Sequence, residues 1–244
     1  MAEWFVDWFN SEDYLSVYRP HDEAEARKLI DLILSCIKIN SNAKVLDMGC
    51  GAGRHSLVLA EKGFDVTAVD LSEFLIDFAK NNAARANLNV NFVHCDFRKY
   101  KPTENFDLAV NLFSSFGYFE KDNENFQVCN TIFNCLNPGG YFVMDFLNKS
   151  FVEKNLIPVS VDENSERTIV QKRTIEGERV VKKIMIQRNG IEKRYFESVR
   201  LYSKEELLNA LSSIGFSERK IFGDFDGNNF DLETSPRIII IVQK

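Results

Sequence analysis

A turn with glycine at every second position constrains this chain more than any other feature. It reads Lys44-Val45-Leu46-Asp47-Met48-Gly49-Cys50-Gly51-Ala52-Gly53-Arg54-His55, a short apolar strand running into helix-forming sequence. Alternate glycines remove the Cβ atoms that would hold a ligand away from the backbone. The amides at the start of the following helix have no intrahelical partners and can face that ligand. The expectation is an α/β unit that holds a nucleotide-like cofactor.

The spacing selects among cofactors. A dinucleotide-binding turn reads G-x-G-x-x-G, its third glycine allowing close helix–strand packing. Counted from Gly49, that third position is Arg54. A phosphate-binding P-loop fails too, because no Gly-Lys-Ser/Thr follows. Asp47 suits a ligand with an ammonium group better than a pyrophosphate, which it would repel. Arg54 and the helix N-terminus can receive a carboxylate. An amino-acid zwitterion joined to a nucleoside meets all of these demands, and S-adenosylmethionine is such a molecule.

More acidic residues follow at strand ends. Asp65 to Asp70 reads as a second strand, its terminal Asp70 about twenty residues beyond the glycines, where a carboxylate meets ribose hydroxyls. A helix is expected over Leu71 to Asn87, with Ser72 as N-cap and Leu71, Leu75, Phe78 and Ala79 at helical spacing. Asn91 to Phe97 is a third strand ending in Asp96-Phe97, a carboxylate for an adenine amino group and a ring to pack on the base. Phe106 to Phe113 makes a fourth strand, and Asn137-Pro138-Gly139-Gly140 turns into a fifth, Tyr141 to Phe146.

This ordered series resembles the class I S-adenosylmethionine-dependent methyltransferases, and residues 40 to 146 carry the resemblance. It implies a doubly wound, seven-stranded, mostly parallel sheet of Rossmann-like α/β type, with S-adenosylmethionine as cofactor. By that likeness Gly49, Gly51 and Gly53 border the methionine portion, and Asp47 sits near its ammonium group through a water or a neighbouring backbone group. Asp70 binds the ribose, with Leu71 against the adenine. Asp96 addresses the adenine amino group, and Asn111 and Leu112 lie under the sulfonium. In related small-molecule enzymes an N-terminal segment folds over the cofactor, which makes Tyr14, Tyr18 and Arg19 candidates for its carboxylate. Tyr14 and Tyr18, four residues apart, also suit an ordinary packed helix face.

Bulk properties set limits. With 244 residues, 45% hydrophobic and 12% aromatic, the chain can bury one α/β core with a modest elaboration. A net charge of −6 argues against general attraction to nucleic acid. Met1 to Phe9 is too short and too acidic for a signal peptide, and no apolar run is long enough to span a bilayer. The five cysteines, Cys36, Cys50, Cys95, Cys129 and Cys135, lack CxxC spacing, which favours reduced thiols in a cytoplasmic protein and no metal site.

Along the chain, residues 1–40 are expected to form a helical lead or cap, with a helix from near Asp22 burying Leu29, Ile30, Ile33 and Ile37. Residues 41–148 form the cofactor-binding core. Residues 149–202 then read as an antiparallel β insertion, with strands at 168–174, 179–188 and 191–202 and turns at Glu176-Gly177 and Asn189-Gly190. Residues 203–244 complete the sheet with a helix opened by the capping box Ser203-x-x-Glu206 and strands near 216–223 and 237–242. The insertion is either a roof over the acceptor or a homodimer surface. In layout the chain is similar to small-molecule N-methyltransferases, including those acting on glycine or amino sugars.

The chemistry asks little of side chains, because a sulfonium is already an activated methyl donor. An amine acceptor needs only to be neutral when it attacks, and no residue's spacing identifies a general base. Tyr118, Tyr14 and His21 are the catalytic candidates. His55 and His94 read as structural. Tyr118 lies in Ser114-Ser115-Phe116-Gly117-Tyr118-Phe119, where an acceptor would approach and where Phe116, Tyr118 and Phe119 also suit a core. Arg173 and Arg200 can neutralise an acidic acceptor or merely be solvated, and Tyr195 and Tyr202 are equally open. Asn111-Leu112-Phe113-Ser114 departs from the Asn- or Asp-Pro-Pro-aromatic of nucleic-acid amino-methyltransferases, and no Gly-Gly-rich loop of the aminopropyltransferase kind is present. The expectation is methyl transfer to a small-molecule amine, against an RNA or protein methyltransferase or a non-catalytic S-adenosylmethionine-binding protein.

Overall fold

Strands that are apolar on both faces need cover on both faces, and this chain covers them with helices. In the computed structural model, which describes residues 3–18 and 23–244, the strands are β1 (Lys44–Met48), β2 (Asp65–Asp70), β3 (Asn91–His94), β4 (Phe106–Asn111) and β5 (Leu136–Leu147). Then follow β6 (Val159–Glu163), β7 (Arg167–Glu176), β8 (Arg179–Arg188), β9 (Ile191–Arg200), β10 (Ser217–Phe222) and β11 (Arg237–Gln243). The helices are α1 (Trp4–Phe9), α2 (Glu12–Tyr18), α3 (Glu23–Cys36), α4 (Arg54–Glu61), α5 (Glu73–Arg85), α6 (Asp122–Cys135), α7 (Lys149–Asn155) and α8 (Lys204–Ile214).

The seven-stranded sheet has the order β3-β2-β1-β4-β5-β11-β10. Only β11 runs against the others, pairing antiparallel with both β5 and β10. Side chains alternate across it. Leu46 and Met48 join Ile132 of α6 and Leu207 and Leu211 of α8 in one buried cluster, whereas Val45 joins Leu29, Ile30 and Ile33 of α3 and Val58 and Leu59 of α4 in another. A separate four-stranded antiparallel sheet, β6-β7-β8-β9, follows α7 and precedes α8. It packs Ile169, Ile184 and Ile186 around Trp8 of α1.

The seven-stranded sheet and the antiparallel addition agree with the sequence expectation, while several boundaries differ for local reasons. The third strand stops at His94, because Asp96 turns the chain: its carboxylate accepts from the Arg98 backbone N–H at 2.9 Å. The fourth stops at Asn111, because Phe113 (φ 56°) and Ser114 (φ 61°) take left-handed conformations. The Pro138-Gly139-Gly140 turn lies inside β5, which already starts at Leu136, and appears as a register shift against β4. The expected helix at 71–87 spans Glu73–Arg85, capped by Ser72 Oγ accepting from Leu75 N–H. The added sheet has four strands rather than three. Its β6 edge leaves Val159 and Val161 exposed, so no buried face marks that strand in the sequence. Asn189 (φ 52°) and Gly190 (φ 75°) make the expected tight hairpin turn.

All five cysteines are free thiols, and no described helix is long and apolar enough to cross a membrane. No group of metal-ligating side chains occurs among the described residues.

Candidate active site

Strand order reverses between β1 and β4, and a crevice opens beyond the carboxyl ends of the strands at such a point. A cavity of about 240 Å³ lies there. Its walls come from successive strand ends: Gly49, Gly51 and Arg54 after β1, Asp70 and Leu71 after β2, Asp96 and Phe97 after β3, and Leu112 and Ser115 after β4. Asp47, Gly53 and Asn111 stand behind this wall rather than in it. Arg19 and His21 lie outside the described residues.

The three glycines have different duties. A Cβ on Gly51 (φ +53°) would meet nothing within 4 Å, so its place opens into the cavity. A Cβ on Gly53 (φ +82°) would lie 2.8 Å from Ala79 Cβ of α5, and one on Gly49 (φ +87°) 2.6 Å from Ser115 Cβ. Gly49→Ala is therefore expected to lower folding stability by about 1–2 kcal/mol, from left-handed strain plus the clash. Urea unfolding checks this, and an unchanged midpoint would reject the account.

Charge is distributed unevenly around the cavity. Asp70 accepts from Gly51 N–H at 2.7 Å and Ser72 N–H at 2.9 Å, tying β2 to the glycine loop. Burial pushes its carboxyl above the usual carboxylate range, and those backbone donors oppose the shift. Asp47, 1% exposed, accepts from Ser56 Oγ at 2.5 Å, yet burial raises its pKa to about 7. Asn111 donates to Met48 O and Ser115 O at 2.6 and 3.0 Å, while its buried Oδ1 has no partner. Arg54 stacks on the Phe113 ring at 4.3 Å and has no carboxylate partner among the described residues. A buried acceptor without a donor, a carboxyl held up by burial and a guanidinium without a counter-ion match a ligand bearing both ammonium and carboxylate groups. The site fits S-adenosylmethionine.

Asp96 lines the cavity and also has a protein partner. Arg98 chelates its carboxylate, Nε to Oδ1 at 3.0 Å and Nη2 to Oδ2 at 2.6 Å, and pairs through its other face with Glu3 at 2.6 and 2.9 Å. Desolvation works to raise this carboxyl, but the Arg98 bonds outweigh it and the net shift is downward. The same bridge fastens α1 over the cavity, where Phe5, Phe9, Tyr14, Leu15 and Tyr18 form a cover. Ser72 Oγ adds a hydrogen bond to Phe9 O at 2.6 Å. The Tyr14 and Tyr18 rings pack 4.8 Å apart, as on an ordinary helix face, and both also line the cavity.

A second cavity, of about 510 Å³, adjoins the first beneath the antiparallel sheet. Phe9, Tyr14, Tyr18, Phe113 and Tyr118 line both. The second is further lined by Phe151 and Asn155 of α7, by Leu156 just after it, by Val180 and Lys182 of β8, and by Glu197 and Val199 of β9. Burial holds Tyr118 well above the usual phenol range, so its hydroxyl stays protonated. Phe116 belongs to the core, 3% exposed.

Other residues resolve plainly. Arg200 is not a cavity residue. It pairs with Glu178 and Glu206 at 2.9 Å each, because the end of β9 turns it toward α8. Tyr202 bonds Asp122 and Asn125 in the core, and Tyr195 bonds Asp13. His55 is buried and held far below its usual pKa by desolvation, while His94 meets Leu71 O at 2.9 Å. Sequence reasoning missed Arg98, Asp145, Lys182, Glu197 and Arg237. Asp145, fully buried, accepts from Phe113 N–H at 2.9 Å and from Arg237 Nε at 2.5 Å, and so fixes the strained Phe113-Ser114 turn. The one hint was an aspartate inside the apolar run Tyr141 to Phe146, which only a buried partner tolerates.

Strand order, glycine loop and acidic strand ends together define a class I S-adenosylmethionine-dependent methyltransferase fold. Residues 45–140 match the family described as Methyltransferase domain. It is 31% identical over 127 residues to the putative methyltransferase YqeM of Bacillus subtilis, covering 52% of this chain and 51% of that protein. The chain thus spans about half the length of that relative. Among solved structures, an S-adenosylmethionine-dependent methyltransferase from Clostridium acetobutylicum superposes with a TM-score of 0.81 at 20% identity, covering 94% of this chain and 95% of that one. CalS10, an amino pentose methyltransferase from Micromonospora echinaspora solved with S-adenosylmethionine bound, gives 0.72 at 19% identity, covering 96% and 98%.

Proposed function

We propose that this protein transfers a methyl group from S-adenosylmethionine to a small-molecule amine held beneath the antiparallel sheet. The observation that carries this reading is the pair of adjoining cavities, one over the glycine loop and one under the insertion, sharing a wall of five aromatic residues. The larger has the size of a small-molecule site. The amino pentose methyltransferase similar in fold supports an amine acceptor.

When bound, the cofactor supplies an activated methyl group, and everything else is positioning. Arg54 would take the cofactor carboxylate, and Asp47 and Asn111, behind the wall, would answer its ammonium group through a water or a neighbouring backbone group. Asp70 takes the ribose hydroxyls, Leu71 and Phe97 flank the adenine, and Asp96 meets its amino group while holding Arg98. Gly51 leaves room for the ligand, and Gly49 and Gly53 let the loop pack close enough to border it. Leu112, backed by Asn111, would close the floor beneath the methyl group. Tyr14, Tyr18 and Tyr118, kept protonated by burial, orient the acceptor and exclude water rather than act as bases. The insertion serves as the roof over the acceptor.

Asp47 gives this reading a pH signature. Its carboxyl is half-protonated near pH 7 in the free protein, and an adjacent ammonium favours the ionised form. Binding below that pH therefore releases a proton, so affinity rises with pH, by up to about tenfold per unit, and levels off above about pH 7. Calorimetry with S-adenosylhomocysteine checks this, and Asp47→Asn should flatten the slope. An equal slope in that variant removes Asp47 from the role.

Transfer of tritiated methyl to pooled amines, amino acids, nucleosides and bulk RNA tests the function. Label in the amine pool is expected. Label in RNA instead would overturn the small-molecule reading, and cofactor binding without transfer to any pool would favour a sensor.

A further inference from the structure

One row on the inner face of the four-stranded sheet carries charge into the larger cavity. Arg173 on β7 stands directly opposite Lys182 on β8, which stands directly opposite Glu197 on β9. All three line the larger cavity. The neighbouring row, Ile175, Val180 and Val199, is aliphatic. Two like charges facing each other across a strand pair are destabilising, and this pair is placed in a cavity whose other walls are largely apolar.

The charges do not balance within the row. Glu197 is paired with Lys182 at 2.8 Å and also accepts from Trp8 Nε1 at 2.7 Å and Tyr18 OH at 2.7 Å, so its oxygens are committed. The third cation of the cavity, Arg237, is matched by Asp145. Among the described residues the Arg173 guanidinium has only neutral partners: Gln171 Oε1 at 2.8 Å, Ser160 Oγ at 3.0 Å and Ile157 O at 3.4 Å. These hold the guanidinium in place without neutralising it. A fixed, uncompensated guanidinium in a small-molecule chamber is a receptor for an oxyanion.

We infer that the acceptor carries an anionic group, carboxylate or phosphate, and that Arg173, backed by Lys182, binds it. This rests on the reading of the larger cavity as the acceptor chamber. The register fixes the dimension. Arg173 lies two strand spacings from Glu197, about 10 Å, and Glu197 adjoins the aromatic wall shared with the cofactor cavity. The anionic group therefore sits at the end of the acceptor remote from the nitrogen that is methylated. Arg173 is a specificity-determining residue and takes no part in the transfer itself.

The chain's two tryptophans supply the readout, because Trp4 lines this cavity and Trp8 bonds Glu197. Protein saturated with S-adenosylhomocysteine is titrated with inorganic phosphate and, separately, with succinate, while tryptophan fluorescence is followed. Saturable binding is expected for at least one probe, and the tighter of the two tells phosphate from carboxylate. In Arg173→Gln that binding should weaken by about tenfold to a hundredfold, the usual effect of losing a charge-assisted pair. In Arg194→Gln, whose exposed side chain meets Glu192, it should not change. Binding of neither probe, or equal binding by Arg173→Gln, overturns the inference while leaving the methyltransferase reading intact. Failure to bind S-adenosylhomocysteine at the outset overturns that reading as well.

Discussion

Glu197→Ala is expected to lower folding stability by about 3–5 kcal/mol and to weaken cofactor binding with it. The carboxylate receives Trp8 Nε1 from α1, Tyr18 OH from α2 and Lys182 Nζ from β8, at 2.7, 2.7 and 2.8 Å. The side chains of Lys182 and Glu197 are only 15% and 11% exposed, so solvent does not take over when the carboxylate is removed. An ammonium and an indole N–H would be left buried without their acceptor. The other ties of α2 to the sheet run through Asp13, which accepts from Tyr195 OH at 2.7 Å. Lys193, which pairs with Asp13, is 59% exposed, and such a pair contributes little. Because α1 and α2 cover both cavities, Glu197 latches the cover to the insertion. Glu197→Gln preserves shape and one acceptor oxygen, and should lose about 1–3 kcal/mol. Urea unfolding with and without S-adenosylhomocysteine measures both effects. A Glu197→Ala protein that unfolds at the parent midpoint would sink the latch.

Nothing in the sequence singles out Glu197, and the reason is geometric. The cofactor half of the site is built within short chain distances, each wall being the residue or two that follows a strand. Gly49 to Arg54, Asp70-Leu71 and Asp96-Phe97 could thus be read by counting from apolar runs. Even there, register hid some detail. Asp47 and Asn111 stand behind the cavity wall rather than in it, and Arg98, two residues from Asp96, is shared between Asp96 and Glu3. The acceptor half is made by packing distant segments. Trp8 meets Glu197 across 189 residues, and Arg237 meets Asp145 across 92. No periodicity records such pairs. Alternation did mark β7, β8 and β9 as strands, but which face would turn inward depended on α1 and α2, two short helices whose sequence reads only as an aromatic lead. Arg173 and Arg200 were equivalent as residue types on alternating strands. Packing separated them: the end of β9 carries Arg200 to two glutamates, and β7 carries Arg173 to the cavity.

Asp70→Ala should weaken S-adenosylmethionine binding by roughly 1–3 kcal/mol, about five- to 150-fold, because two contributions disappear together. The first is the charge-assisted bonding to ribose hydroxyls assigned to this residue. The second is visible without ligand: Oδ2 accepts from Gly51 N–H and Oδ1 from Ser72 N–H, so the side chain holds the glycine loop against the start of α5. Burial disfavours the ionised carboxyl, and the backbone donors offset part of that cost. A ribose hydroxyl would add a further donor and pull the carboxyl back toward ionisation. Asp70→Asn separates the contributions. Its amide oxygen can keep the Ser72 bond, while its NH2 faces Gly51 N–H and presents no charge to the ribose, so affinity should fall nearly as far with less loosening of the loop. Calorimetry of S-adenosylhomocysteine binding reads the affinity, and amide hydrogen exchange at Gly51 reads the loop. Parent-like affinity in Asp70→Ala would remove Asp70 from the ribose site. A large loss in Asp70→Ala with parent affinity in Asp70→Asn would assign its role to holding the loop rather than to the cofactor.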